Sequence, residues 1–279
     1  MFGYVNYGNG LNVRQIAAIY TSFSKACITR GAHACGIAYV ANNELMVKKK
    51  SVDLVRAEFS YPWDVKILTA HCRLSLQKDY WENKNNHPFR GQTLDGSAYT
   101  LGHNGILRDL RTIRQALQLS ETDIRTDSYL IAQILATKPR LDCQTLKEVC
   151  ETLHGSFSFT VLDERNNLYL CRGDVPVYLV HFQKLKLYVY LSTRDLFEQA
   201  VKSTDLWHAY RTSNLEAATA AVNIVPLRKG GIVCISSAGE LSSASFTFQE
   251  DLAISHNWYM HEITETEELK KQLEQLNNS

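Results

Sequence analysis

Short β-patterned runs, some of them alternating between apolar and polar positions, recur along the chain, at 2–7, 34–41, 44–47, 66–74, 99–103, 156–162, 168–172, 185–192 and 232–237. A period of two marks a strand with one face against a core, so these runs predict β-strands. Tight polar links such as Asn42-Asn43 and Arg165-Asn166-Asn167 join several of them at hairpin spacing, which favours antiparallel pairing. Between them lie stretches with a 3.6-residue period, at 13–29, 107–117, 127–136 and 143–153. The first gathers Ile16, Ala17, Tyr20, Phe23 and Ala26 on one face, with Gly31 just past its end as a C-terminal cap. Helices combined with antiparallel strands give an α+β protein.

The segment Tyr99-Thr100-Leu101-Gly102-His103-Asn104-Gly105-Ile106-Leu107-Arg108 reads as a strand, a His-Asn-Gly turn and the start of a helix. The turn sets the side-chain amide of Asn104 beside the backbone N–H of Gly105. Two such donors at the mouth of a sheet suit a developing oxyanion, the charge that builds up in acyl transfer. An Asn-Gly pair is also an ordinary positive-φ turn, and the local sequence alone favours that reading. Toward the end, from about residue 241, the pattern weakens. There Thr264 and Glu267 form a capping box ahead of Leu269, Leu273 and Leu276, which predicts a separate amphipathic helix. We therefore divide the chain into a domain at 1–240 and a C-terminal extension at 241–279. The extension either docks a partner or a second copy of the chain, making a homo-oligomer, or packs back on its own domain.

Composition narrows the function classes. With 279 residues the chain can bury a full core, as one large domain or two small ones. Its net charge of +1, with no basic run interleaved with aromatics, argues against nucleic acid as a partner. Lys48-Lys49-Lys50 reads as a solvated sheet edge. Seven cysteines, odd in number and without a C-x-x-C pair, suggest neither a disulfide framework nor a zinc ribbon, and fit a reducing cytoplasm. No apolar stretch is long enough to span a bilayer and no secretory leader is evident, so no membrane partner is expected. His71, His87 and His103 have no metal-ligand spacing and read as structural groups, as Cys35 and Cys72 read as buried thiols. No metal and no cofactor are expected.

Several blocks follow one another in a telling order: Phe2-Gly3-Tyr4-Val5-Asn6-Tyr7, Arg30-Gly31-Ala32-His33-Ala34-Cys35-Gly36-Ile37-Ala38, Ala70-His71-Cys72-Arg73 and Asn86-His87-Pro88. After them come Gly102-His103-Asn104-Gly105-Ile106, Thr126-Asp127-Ser128, His154-Gly155-Ser156-Phe157-Ser158 and Val225-Pro226-Leu227 with Gly231-Ile232-Val233. Over roughly residues 1 to 240 this series resembles the class II glutamine amidotransferases, and most of all the glutaminase domain of glucosamine-6-phosphate synthase. The resemblance implies a four-layer αββα sandwich of two antiparallel sheets, of the N-terminal-nucleophile hydrolase type. It also implies release of ammonia from L-glutamine through a γ-glutamyl thioester. Carried over by position, it makes Arg73 the grip on the α-carboxylate of glutamine, Asp127 the grip on its α-ammonium, and Asn104 with the N–H of Gly105 the oxyanion hole. A guanidinium fork suits a carboxylate, and an aspartate at a helix start is steadied by the backbone there. Where the family follows its arginine with Trp-Ala-Thr-His-Gly, this chain has Leu74, Ser75, Leu76, Gln77 and Lys78.

The family's nucleophile is an N-terminal cysteine in Cys-Gly-Ile-Phe-Gly-Tyr, whose free amine serves as base. Here Phe2 takes the place of the family's Phe, so Met1 stands at Ile and no Cys-Gly precedes it. The expectation is that the chain is inactive as it stands and that Met-Cys-Gly belongs in frame before Met1. The alternative is a catalytically dead module that binds glutamine or another protein, and a third reading is an amide hydrolase for another γ-glutamyl compound. No second catalytic domain is expected within 279 residues, which leaves the ammonia acceptor to a separate protein.

Overall fold

The computed structural model of the chain describes residues 1–8, 10–75, 79–213 and 221–249. In chain order its elements are β1 (Phe2–Asn6), α1 (Val13–Ile28), β2 (Ala34–Ala41), β3 (Glu44–Lys50), α2 (Leu54–Ala57), β4 (Ile67–Arg73), β5 (Phe89–Gln92) and β6 (Ala98–Arg108). They continue with α3 (Leu110–Ala116), α4 (Tyr129–Ala136), α5 (Cys143–Thr152), β7 (His154–Asp163), β8 (Leu168–Arg172), β9 (Tyr178–Phe182) and β10 (Leu187–Leu191). The last are α6 (Arg194–Val201), α7 (Leu206–Ser213), β11 (Val222–Val225), β12 (Gly231–Ile235) and β13 (Leu241–Ser245). One sheet has the order β11-β9-β10-β1-β4-β2-β3, the other β13-β12-β8-β7-β6-β5. Neighbouring strands in both run antiparallel.

Strand alternation sorts the side chains into layers. In β1, Phe2 and Tyr4 join a cluster with Phe23 of α1 and Phe197 of α6, whereas Met1 and Val5 join one with Leu168 and Leu170 of β8 and Ile235 of β12. A third cluster packs Leu101, Phe157, Phe159 and Val161 against Leu130, Ile134 and Leu146 of α4 and α5. Helices, sheet, sheet and helices therefore stack in four layers, with one apolar seam between the sheets and one under each helical layer. Each fully buried Phe or Leu in these seams is worth roughly 1.5–3 kcal/mol. The N-terminus of α1 is closed by a capping box in which Asn12 and Gln15 each accept the other's backbone N–H at 3.0 Å.

Three expectations change. The helix read from residue 107 begins only at Leu110, because β6 runs straight through His103-Asn104-Gly105 to Arg108. The partner strand explains this: β7 pairs with β6 from Tyr99↔Asp163 to Arg108↔His154, so ladder bonding continues where local turn chemistry would have stopped it. Gly105 takes φ +133° inside the strand instead of in a turn. Second, the lysines of β3 do not simply point to water. Lys49 donates to the Asn86 carbonyl at 3.0 Å and lies over the Phe89 ring, Lys50 donates to the Ala57 carbonyl at 2.5 Å, and Lys48 reaches the Ser60 carbonyl. Burial lowers the Lys49 ammonium to about 8. Third, β13 pairs with β12 and carries the second sheet past residue 240, with Phe246 buried behind it. The helix expected at Thr264 to Leu276 lies outside the described residues.

Candidate active site

The space between the sheets is apolar at one end and polar at the other. In β4 the helix-facing positions are Leu68, Ala70 and Cys72, which leaves Thr69, His71 and Arg73 to the opposite face. In β10, Leu187, Val189 and Leu191 face the helices, so Tyr188, Tyr190 and the following Ser192 face inward. The register Phe2↔Leu191 and Phe2↔Ala70 sets the start of β1 between the ends of β10 and β4. From the other sheet, β6 brings Asn104 to the same end.

Hydrogen bonds knit these groups together. Ser192, fully buried, accepts from the Met1 nitrogen at 2.8 Å and from Asn104 Nδ2 at 2.9 Å, and its own hydroxyl donates to the Met1 carbonyl at 3.1 Å. His71 Nε2 lies 2.8 Å from the His103 carbonyl and 3.2 Å from Asn104 Oδ1. Burial, with the positive groups nearby, holds the His71 imidazolium well below its usual pKa, and burial does the same to His87, whose ring centre is 4.1 Å away. His103 is lowered less sharply: burial pushes it down and Asp127 pushes it up. Its Nδ1 meets Ser128 Oγ at 2.8 Å.

Arg73 and Asp127 reach the same region by different routes. The Arg73 guanidinium is buried and donates to Asp79 Oδ1 and Asn86 Oδ1, each at 2.8 Å, while the Ser75 hydroxyl donates to the same Asp79 oxygen at 2.6 Å. Asp127 stands two residues ahead of α4 and accepts the Leu107 backbone N–H at 2.7 Å, which ties the helix start to the end of β6. Asn104, Gly105 and Asp127 are half-buried, so solvent reaches this end of the seam. Any side chain at Gly105 would run into the Ser156 carbonyl and Phe157 backbone of β7.

None of the chain's cysteines offers an accessible thiol here. Cys72 and Cys27 lie in the helix-facing cluster, and burial drives both thiols above their usual pKa. Cys35 is likewise pushed up, to about 12. Cys143 and Cys234 are half-buried beside each other at the outer face of the second sheet; their mutual hydrogen bond brings Cys143 down to about 7. Among the described residues no group of three or more His, Cys, Asp or Glu is arranged to hold a metal ion, and no helix is long and apolar enough to cross a membrane.

Residues 71–195, from the inward-facing histidine of β4 to the first turn of α6, match the family described as Glutamine amidotransferase domain. Over that stretch the chain is similar to a glutamine amidotransferase domain. Its fold is that of the class II amidotransferases. The glutamine phosphoribosylpyrophosphate amidotransferase of B. subtilis superposes with a TM-score of 0.64 at 18% identity, covering 89% of this chain and 49% of that one. A structure described as the allosteric regulatory enzyme of purine biosynthesis gives a TM-score of 0.67 at 16% identity, with the same coverage of 89% and 49%. In sequence, the chain is similar to 7-cyano-7-deazaguanine synthase 2 of Sulfurisphaera tokodaii, 25% identical over 214 residues, which are 72% of this chain and 45% of that protein. It is also similar to the 7-cyano-7-deazaguanine synthase of Saccharolobus solfataricus, 21% identical over 197 residues, 68% of this chain and 42% of the other. The chain spans less than half the length of these curated relatives.

The groups that the sequence left unnoticed are Ser192 and Asp79. Ser192 follows an apolar run with nothing nearby to set it apart, and its partners lie 88 and 191 positions away. Asp79 follows its partner Arg73 by six positions and carried a weak signal, an acidic residue close after an inward-facing arginine.

Proposed function

We propose that this domain releases ammonia from L-glutamine through a γ-glutamyl thioester, with the thiol carried two positions ahead of Met1. The observation that carries the reading is the side-chain amide of Asn104 bonded through Ser192 to the start of β1, the strand from which the family's nucleophile projects. Attack of a thiolate on the glutamine amide carbon forms a C–S bond and an oxyanion, which Asn104 Nδ2 and the Gly105 N–H stabilise. Collapse of that intermediate breaks the C–N bond, the leaving nitrogen takes the proton that the cysteine's own α-amine had removed from the thiol, and water then releases glutamate. Arg73 is the grip for the α-carboxylate: each of its terminal nitrogens keeps a second N–H beyond those given to Asp79 and Asn86. Asp127 is the grip for the α-ammonium.

With every cysteine of the chain buried away from Asn104 or placed at the other face of the second sheet, the chain as it stands binds glutamine and does not turn it over. The curated relatives are named for a product bearing a cyano group, whose nitrogen has to be supplied, and ammonia from this domain is that supply for an acceptor domain or partner. All seven cysteines are free, which suits a reducing compartment such as the cytoplasm. A second reading, a glutamine-binding module without turnover, draws on the Arg73–Asp79 pair, which already occupies part of the guanidinium.

The test compares ammonia release by the chain with release by a version extended at its N-terminus by Met-Cys-Gly, whose initiator methionine is removed in expression. The extended protein is expected to release ammonia from L-glutamine and the unextended one to show none above background. An extended protein that stays silent on glutamine and on other γ-glutamyl amides, with a candidate acceptor synthase present, overturns the enzymatic reading.

A further inference from the structure

We infer that His71 and Ser192 are positioning residues that together fix which way the Asn104 amide faces. This rests on the reading of Asn104 as the oxyanion donor, and it follows from counting hydrogens. A side-chain amide has two faces that differ only by exchange of Oδ1 and Nδ2, so its orientation is set wholly by its partners.

Ser192 has one hydroxyl hydrogen. The Met1 carbonyl, 3.1 Å away, accepts it, and a carbonyl cannot donate, so toward any third partner Ser192 offers lone pairs alone. The group 2.9 Å from it must therefore bring a hydrogen, which selects Nδ2. On the other side His71 Nε2 sits 2.8 Å from the His103 carbonyl, again an acceptor, so the ring carries its proton on Nε2. The atom 3.2 Å from that N–H must accept, which selects Oδ1. Turning the amide over would set N–H against N–H at His71 and lone pair against lone pair at Ser192. Both ends reject the same orientation. The two anchors come from β4 and from the end of β10 in one sheet, and the amide they hold comes from β6 in the other, so the contact also fixes how the sheets meet at the site.

Burial favours this arrangement. His71 and Ser192 are 5% and 0% exposed, so water does not compete for either bond, whereas Asn104 is half-buried and its amide stays open to a substrate. His71 thus acts through Asn104 and not on glutamine.

The test uses His71→Phe, which keeps a buried ring and removes the Nε2 hydrogen, His71→Gln, which restores a donor at a similar reach, and Ser192→Ala. In the chain as it stands, 15N-edited NMR of the Asn104 side-chain amide is expected to show a shifted or exchange-broadened pair of signals in His71→Phe and in Ser192→Ala. In His71→Gln the signals should return toward wild type. In the Met-Cys-Gly extended protein, His71→Phe is expected to lower kcat by up to about 100-fold, the lower end of the loss on removing an oxyanion donor. KM should stay unchanged, and His71→Gln should recover most of the rate. Should His71→Phe fail to fold, Ser192→Ala, a smaller truncation, carries the same NMR readout. Unmoved Asn104 signals in the folded variants, or a wild-type kcat in His71→Phe, overturn the inference. An extended wild-type protein that releases no ammonia overturns the proposed function instead, and the NMR arm still decides the role of His71.

Discussion

The Arg73 side chain is 9% exposed and its Asp79 partner 2%, which makes them a buried ion pair with two neutral helpers, Ser75 and Asn86. Breaking such a pair from one side leaves an uncompensated charge. Arg73→Ala is therefore expected to cost about 3–5 kcal/mol of stability, read as a lower urea midpoint. The double change Arg73→Met with Asp79→Leu removes both charges and is expected to recover most of that loss. If Arg73 also grips the α-carboxylate, the recovered double variant still binds L-glutamine far more weakly by calorimetry. Equal affinity would leave Arg73 a purely structural residue. At Asn104 the expectation differs in kind: Asn104→Ala in the extended protein should lower kcat by about 10²–10³ with little change in KM, because the lost donor acts on charge that exists only during reaction. Arg73 and Asn104 stand out in the sequence because they sit in ordered blocks that resemble a family. Ser192 was not, because its role exists only once strands far apart in the chain are laid side by side.

Long-range pairing also governs what could be read of the elements. Strands bounded by tight polar turns, such as β2 and β8, were legible to the residue. β9 has the sequence Tyr-Leu-Val-His-Phe, a nearly unbroken apolar run with little period to find, and β11 and β5 are four residues each. Such segments become strands through their neighbours. The continuation of β6 through Gly105 is the clearest case of tertiary pairing overruling turn chemistry, and it makes a prediction. Gly105→Ala forces an L-residue to φ +133° and drives its methyl into the β7 backbone at Ser156. It should destabilise the fold by at least about 1–3 kcal/mol, the cost of a sparsely populated backbone conformation. Were the segment a free turn, the same change would leave the unfolding midpoint nearly unmoved.

At the scale of the whole molecule, the sandwich stores uncharged histidines at the polar end of its seam, and that sets how its stability responds to acid. His71 and His87 are held well below their usual pKa by burial, with Arg73, Lys49 and one another adding repulsion, while His103 is lowered less because Asp127 opposes the effect. The sign follows from proton counting. Above about pH 6.5 these rings are neutral in both the folded and unfolded chain and contribute no pH dependence. Below it the unfolded chain takes up protons that the folded chain refuses, so stability falls as pH falls, by up to about 1.4 kcal/mol per unit for each ring. Between pH 7.5 and 5.5 that is about 1.4 kcal/mol each for His71 and His87, and less for His103. Urea unfolding at the two pH values should show the loss. The difference between wild type and His87→Phe isolates it, because contributions from all other groups cancel: the variant should lose less stability on acidification by about 1.4 kcal/mol. Identical pH dependence in the two proteins would mean that His87 titrates alike in the folded and unfolded chain, as a freely hydrated ring does, and the closed polar seam between the sheets would have to be redrawn as an open one.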